Sequence, residues 1–200
     1  MALIKHGNNA LSSVTAFPSA VPTGKPVLLS TATASSSASI EFTLNSSYDI
    51  SYFEFINIHP STDSVYFNFQ TSTDNGSTYA TTITSTYFMA YHSEGGAGAV
   101  LTYDDTLDQA QGTSNQTLLY NLGNDADQNA NGYIHLFNPS STTFVKHYIS
   151  DCNWNHYQDY SFTGKSAGYF NTTLALTNIK FIFSSGNIDA GTIKMYGISA

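Results

Sequence analysis

The chain has 200 residues, of which 41% are hydrophobic, and this length and composition suit a single globular domain with a sizeable core. Only 10% of the residues are charged, none is arginine, and the net charge is −8. This balance disfavours binding to nucleic acid or to an anionic membrane, because both partners are polyanions. The single cysteine, Cys152, excludes an intrachain disulfide.

Residues 1–25 differ in character from the rest of the chain. Pro18, Pro22 and Gly24 disfavour a helix there, so we predict an extended N-terminal arm. Val14 and Phe17 are isolated apolar residues in this segment, and they are the candidates for contact with a partner. Two interpretations stay open, a terminus without fixed structure and an ordered arm that reaches across a neighbouring subunit.

From Val27 onward, short apolar runs alternate with turn clusters, the spacing typical of a β-sandwich or jelly roll. The first predicted strands are Val27–Thr33, Ser39–Leu44, Tyr52–His59 and Val65–Gln70. Tyr52–His59 is apolar on both faces near its centre, which indicates a strand covered on both sides. Asn75-Gly76 predicts a hairpin with Tyr79–Thr86 as the return strand, because this pair readily adopts positive φ angles.

The second half of the chain begins with a stretch of different composition. Residues 92–127 are rich in glycine, Asp and amide side chains, so we predict long loops with one short helix near Thr106–Gly112. Further strands are predicted at Tyr133–Asn138, Phe144–Ser150 and Ser166–Asn171. A period of two over Ile179–Ile198, around a Gly-Asn turn, predicts an antiparallel pair that closes the domain.

These elements predict an all-β fold, an antiparallel β-sandwich of jelly-roll type over residues 26–200 with an extended N-terminal arm in front of it.

The best metal candidate is the acidic and amide-rich stretch that contains Asp125, Asp127 and Asn129. Alternating oxygen ligands can wrap a calcium ion, but an EF-hand loop starting at Asp125 needs Gly at Ala130 and Glu at Leu136. A solvated turn is therefore the favoured interpretation. We predict no metal and no cofactor.

A second set of metal ligands, His147, Cys152 and His156, lacks the fourth residue that a structural zinc site needs.

No catalytic residues are predicted. The chain contains neither a GxSxG nucleophile elbow nor a glycine-rich phosphate loop. Glu54, between two phenylalanines, is a conceivable acid, but a residue on a strand surface is the favoured interpretation. We therefore expect a protein that is not an enzyme.

The segment 151–164 carries the only tryptophan, Trp154, together with Tyr157 and Tyr160 among amide and acidic residues. Aromatic faces beside amides are suited to stacking on sugar rings. Tryptophan and tyrosine are also enriched at subunit interfaces. We favour the interface and leave a glycan site as the alternative.

Several segments resemble small structural proteins of tailed bacteriophages, especially those that infect cyanobacteria and other aquatic bacteria. The matching segments are NNALSSVTAFP, VLLSTATASSSASIEF, TSTDNGSTY, LFNPSSTTFVKHYIS, AGYFNTT and SSGNIDAGTIKMYGI. They span most of the chain and are strand-end and turn motifs rather than catalytic signatures.

The resemblance implies a virion protein, assembled in the host cytoplasm, of jelly-roll type and homotrimeric. Its expected partners are the major capsid protein or other virion proteins, with no nucleic acid and no membrane. We expect a capsid decoration or cement protein, because the chain has no shaft segment. The alternative is a short tail or head fibre that binds host-surface glycan.

Overall fold

The structure is a computed structural model, and it describes residues 25–199. Within that range the chain is all β, with thirteen strands and no helix. The strands are β1 Val27–Thr33, β2 Ile40–Thr43, β3 Ile50–Pro60, β4 Val65–Ser72, β5 Ile83–Ser93, β6 Ala99–Tyr103, β7 Ala110–Gly112, β8 Gln116–Leu122, β9 Ala130–Phe137, β10 Lys146–His156, β11 Tyr160–Phe170, β12 Asn178–Phe183 and β13 Ile188–Ile198.

All of the strand pairs are antiparallel, and they form two groups. The larger group has the order β1-β13-β3-β9-β10-β11-β5, with β6 and β7 both paired to β5. The smaller group has the order β8-β4-β12-β2. Among the described strands, the pair His156 and Leu122 is the one ladder contact that joins β10 of the larger group to β8 of the smaller.

Aromatic rings fill the space between the two groups. Phe53 and Phe55 of β3 lie 5.4 and 5.1 Å from the ring of Phe181 on β12. Phe69 of β4 lies 5.0 Å from Tyr148 of β10. Alternate residues of the strands therefore face one common core, because side chains change face at every residue of a strand.

The structure corrects the pairing that we predicted for the end of the chain. β12 and β13 exist, and Ile179, Phe181 and Phe183 are buried as their alternation predicts. However, β12 pairs with β2 and β4, whereas β13 pairs with β1 and β3. The two strands are consecutive in the chain but belong to different groups.

The prediction of a hairpin at Asn75-Gly76 is also wrong. Both residues have positive φ, 61° and 83°, so the turn itself forms. The strand after it, however, starts only at Ile83, and β5 pairs with β11 rather than with β4.

Residues 106–112 contain no helix. A turn precedes the short strand β7, and the predicted loop region between residues 92 and 127 also contains β6 and β8.

The environment that we predicted for Tyr52–His59, covered on both sides, is wrong. β3 is buried on one face, and its other face is half-exposed at Tyr52, Glu54 and Ile56. β4 is the strand that is covered on both faces. The segment that contains Thr113 and Ser114 lies over Gln70, whose buried side chain donates to the carbonyl oxygens of both residues.

The predicted arm, with Val14 and Phe17, lies outside the described residues. The domain boundary at residue 25 stays a prediction.

Candidate aromatic binding site

The segment 151–164 is the end of a hairpin rather than a loop. β10 and β11 pair without interruption from Lys146 and Phe170 to His156 and Tyr160. Three residues, 157–159, connect the strands, and Asp159 has a φ of 61°, as is usual at the end of a three-residue hairpin turn. The aromatic residues of this segment therefore have fixed positions on two long strands.

A cavity of about 290 Å³ opens beside this hairpin. Its walls come from both strand groups, since β8 of the smaller group faces β5, β10 and β11 of the larger. We call it the aromatic pocket, and it is lined by Met89, Tyr91, Thr102, Tyr120, His156, Gln158, Tyr160 and Phe162.

Strand register places the rings of the pocket side by side. Phe162 on β11 is directly opposite Tyr91 on β5 and Trp154 on β10. Its ring stacks on Tyr91 at 4.6 Å and on Trp154 at 5.4 Å. Tyr120 meets Phe162 edge-on at 5.5 Å from the other strand group. The pocket is thus a product of long-range pairing and not of one sequence segment.

Gly164 supplies the space for this arrangement. A Cβ atom on Gly164 would lie 2.9 Å from the Cη2 atom of Trp154, and it would also collide with the hydroxyl of Tyr87. The absence of a side chain on this strand position is what allows the indole to lie flat beneath the pocket.

The lining offers hydrogen-bonding groups but no formal charge at neutral pH. Within residues 25–199, the hydroxyls of Tyr91, Tyr120 and Tyr160 have no protein hydrogen-bond partner. In the same range, two side-chain polar atoms are both buried and without a hydrogen-bond partner, Thr71 Oγ1 and Gln109 Oε1. The three tyrosine hydroxyls are not among them, so they are not fully buried. These hydroxyls are therefore accessible to a ligand.

The histidine of the lining is held in a defined tautomer. Its Nδ1 accepts the backbone N–H of Gln158 at 3.2 Å, so in the neutral ring of His156 the proton lies on Nε2. Burial lowers the pKa of His156, with the charge of Asp63 acting in the opposite direction. Burial also raises the pKa of Tyr120 to about 12, and Asp104 adds to that effect. Both groups are uncharged at neutral pH.

The structure separates the three aromatic residues that the sequence singled out. Tyr160 lines the pocket. Trp154 is 2% exposed and forms the layer beneath it, so its ring offers no free face to a ligand. Tyr157 lies outside, 37% exposed, with its ring 4.6 Å from His156.

Sequence reasoning missed Tyr91, Tyr120 and Phe162 as partners of Tyr160. The available signal was the alternation of β5, in which Tyr87, Met89 and Tyr91 fall on one face. The alternation identifies the buried face of β5, but it does not identify the strands that pack against that face.

The metal candidates lie apart from the pocket. Among residues 25–199, no group of three or more His, Cys, Asp or Glu side chains is close enough to hold a metal ion. Asp125, Asp127 and Asn129 lie between β8 and β9, where the Asn129 amide oxygen accepts from Asn131 at 2.7 Å.

The residues of the second metal candidate, His147, Cys152 and His156, lie on opposite faces of β10. On β10, the His147 side chain is exposed whereas Cys152 and His156 are buried, so His147 faces away from the other two. Burial raises the pKa of the Cys152 thiol to about 12.

A second feature is the solvent-facing side of the larger group. One row of directly opposite residues crosses five neighbouring strands, and we call it the outer row. It consists of Leu28, Tyr196, Tyr52, His135 and Ile149.

The outer row is apolar and exposed at its two ends, and its middle consists of the half-buried rings of Tyr196, Tyr52 and His135. Leu28 and Ile149 are 53% and 50% exposed. The ring of Tyr52 lies 5.6 Å from Tyr196 and 4.7 Å from His135. Burial lowers the pKa of His135, which favours its neutral form. A row of apolar and aromatic side chains that stays partly open to solvent across five strands is unusual on a surface that contacts only water.

The next row of the same face is charged but balanced. Lys194 lies opposite Glu54, and Lys165 lies opposite Asp151, with which it forms an ion pair. Glu54 also accepts a hydrogen bond of 3.2 Å from the Tyr196 hydroxyl. Two positive and two negative side chains mean that the net negative charge of the chain is not concentrated on this face.

Comparison with models of protein families, with curated proteins and with solved structures found no match for this chain. Within the described range, no helix is long and apolar enough to cross a membrane.

Proposed function

We propose that this chain is a non-enzymatic structural component of a tailed-phage particle, and that it attaches to other virion proteins through the outer row. The observation that carries the proposal is the outer row, a partly exposed line of apolar and aromatic side chains from Leu28 to Ile149 across five strands. Apolar and aromatic residues surrounded by balanced charges are the composition of protein–protein contact surfaces. The assignment to a phage rests on the resemblance of the sequence segments.

The strand order supports a more specific fold proposal, a jelly roll. Leaving out β5–β7 and β10–β11, the remaining eight strands have the orders β1-β13-β3-β9 and β2-β12-β4-β8. These orders interleave the two ends of the chain in the manner of a double Greek key. In this proposal β5–β7 and β10–β11 are insertions, and β5, β6 and the β10–β11 hairpin supply the walls of the aromatic pocket other than Tyr120 of β8.

The same face suits self-association as well as attachment. A chain of net charge −8 repels its own copies in general, but a face with two lysines and two carboxylates does not add to that repulsion. We therefore propose that copies contact one another or the capsid lattice through this face, and the resemblance of the sequence segments makes the proposed oligomer a homotrimer.

The N-terminal segment has a natural place in this proposal. β1 is an edge strand of the larger group, with Val27 and Leu28 exposed, and the proposed arm connects directly to it. An arm that leaves the domain beside the outer row, carrying Val14 and Phe17, would extend the same contact to a neighbouring subunit. Many weak contacts of this kind on one particle act together by avidity.

Introducing a charge into the outer row tests the contact face. We expect Ile149→Asp to dissociate the oligomer in sedimentation experiments, because a carboxylate would be buried at the contact. Leu174→Asp is the matched control, since Leu174 is also an exposed aliphatic residue but lies away from the outer row, in the loop between β11 and β12. A wild-type chain that sediments as a monomer and binds no purified virion protein contradicts the proposal.

Copy number in the purified particle separates the two structural roles. Hundreds of copies per particle support a decoration or cement protein, which is our proposal. A handful of copies supports the short-fibre alternative, in which the protein recognises the host surface.

A further inference from the structure

We propose that the aromatic pocket is a binding site for a single uncharged sugar ring. This inference goes beyond the structural role, because it concerns a cavity on the core side of β5 and β11, whereas the outer row lies on the solvent side. It does not depend on which virion protein the chain contacts.

The size and walls of the cavity suit one ring-shaped ligand. At about 290 Å³ it lies at the lower limit of typical ligand pockets, which span roughly 300–1,000 Å³. Tyr91 stacks flat on Phe162, and Tyr160 meets Tyr91 edge-on at 5.9 Å. Because Phe162 is covered by Tyr91 and Trp154, the half-buried rings of Tyr91, Tyr120 and Tyr160 are the ones that can face a ligand. The C–H face of a sugar ring packs on such surfaces.

The hydrogen-bonding groups of the pocket suit the hydroxyl groups at the edge of a sugar ring. The lining side chains carry donors and acceptors: three tyrosine hydroxyls that have no hydrogen-bond partner among residues 25–199, the Gln158 amide and the Nε2–H of His156. A ligand with several hydroxyl groups can satisfy them together. A purely apolar ligand would remove their water without replacing the hydrogen bonds.

The charges of the pocket argue against an ionic ligand. None of the lining residues is Lys, Arg, Asp or Glu, so an anion would find no counter-charge. A quaternary ammonium ion can bind among aromatic rings, but it has no hydroxyl groups for Tyr91, Tyr120 and Tyr160. The uncharged polyol is the ligand that uses both the rings and the hydroxyls.

The position of Trp154 provides a direct measurement of binding. It is the only tryptophan of the chain, and its ring stacks on Phe162 beneath the pocket. Titration of the full chain with a panel of methyl glycosides should therefore change its intrinsic fluorescence. The panel should contain hexosides, 6-deoxyhexosides and N-acetylhexosaminides. Saturation-transfer NMR on the same samples detects binding that leaves the fluorescence unchanged.

Removal of single hydroxyls tests the location of the site without deleting a ring. We expect Tyr91→Phe and Tyr160→Phe each to weaken binding about three- to tenfold, the effect of one lost hydrogen bond. Tyr169→Phe is the matched control, because Tyr169 lies on the solvent side of β11 beside His147. It should leave the affinity unchanged.

Several outcomes overturn the inference. One is that no glycoside of the panel binds by either measurement at millimolar concentration. Another is that a glycoside binds equally well to the Tyr91→Phe, Tyr160→Phe double variant. A third is that tetramethylammonium binds more tightly than every glycoside and is weakened by the same variants, which would make the pocket a cation site. None of these results bears on the oligomeric state, so the structural role is tested separately.

Discussion

The indole Nε1 of Trp154 donates a hydrogen bond of 2.8 Å to the carbonyl oxygen of Tyr120. This bond joins β10 of the larger strand group to β8 of the smaller one, near the single ladder contact between His156 and Leu122. It also fixes Tyr120 against the aromatic pocket. The tryptophan therefore acts in positioning the pocket and not in contacting a ligand.

We expect Trp154→Phe to destabilise the fold by about 1–3 kcal/mol, because it removes this hydrogen bond and leaves a cavity under Phe162. Urea unfolding followed by far-UV circular dichroism measures the change. Tyr157→Phe, at an exposed position in the same hairpin, should change stability by less than about 0.5 kcal/mol. Equal stabilities for wild type and Trp154→Phe would contradict the joining role.

Gly164→Ala should destabilise the protein by crowding the layer beneath the aromatic pocket. The new methyl group would lie against Trp154 and Tyr87, and overpacking of this kind costs about 1–3 kcal/mol. Gly95→Ala is the control, since its Cβ would meet only the Ser93 hydroxyl oxygen at an ordinary 3.5 Å. Thermal unfolding of both variants provides the comparison. A Gly164→Ala protein as stable as Gly95→Ala would show that the rings can move apart at no cost.

The sequence predicts which residues are buried better than it predicts which strands pair. Alternation alone identified Ile179, Phe181 and Phe183 as one buried face, and the structure confirms it. The turn after Phe183 is equally visible, but a turn specifies a local change of direction and not the partner of the next strand. β12 and β13 are consecutive and yet belong to opposite groups.

The candidate site is predictable only in part, because the sequence does not specify which distant strands pair. The aromatic residues around Tyr160 indicate the hairpin that borders the aromatic pocket. A tryptophan among amides predicts a residue that contacts a partner, either at a subunit interface or on a sugar ring, whereas the strand position of Trp154 turns its side chain into the core. Tyr91 and Tyr120 reach the pocket through pairing across distant parts of the chain. No local pattern carries that information.

Lys146 is a buried cation whose replacement should stabilise the protein. Its side chain is fully buried on the core side of β10, and its ammonium group donates to the Thr172 carbonyl oxygen at 3.0 Å. Within residues 25–199 it has no ion pair, and burial lowers its pKa. We expect Lys146→Met to raise stability by roughly 1 kcal/mol, since the desolvated charge is removed and the volume is kept.

The exposed Lys165 is the matched control for that substitution. Lys165→Met loses a surface ion pair with Asp151, which contributes little, so its stability should change by less than about 0.5 kcal/mol. Guanidinium unfolding midpoints measure both. If Lys146→Met is the less stable of the two variants, the hydrogen bond to Thr172 outweighs the desolvation of the ammonium group.

Stability should fall as the solution becomes mildly acidic. Burial lowers the pKa values of His135 and His156 in the folded chain below the ordinary value of 6.5. The unfolded chain then binds protons at a higher pH than the folded chain does. The stabilisation from these two residues is therefore fully present above 6.5 and is lost as the pH falls through the folded-state values.

NMR titration of the imidazole Cε1–H signals measures this effect directly. We expect the midpoints of His135 and His156 to lie below those of the same protein unfolded in urea. We also expect the urea midpoint of the folded protein to be lower at about pH 5 than at about pH 7.5. Protonation of His135 would place a charge within the outer row, between Tyr52 and Ile149, so the proposed oligomer should weaken over the same pH range. Midpoints at or above the urea values would mean that both imidazoles are solvated, and the predicted loss of stability would then have no source in these residues.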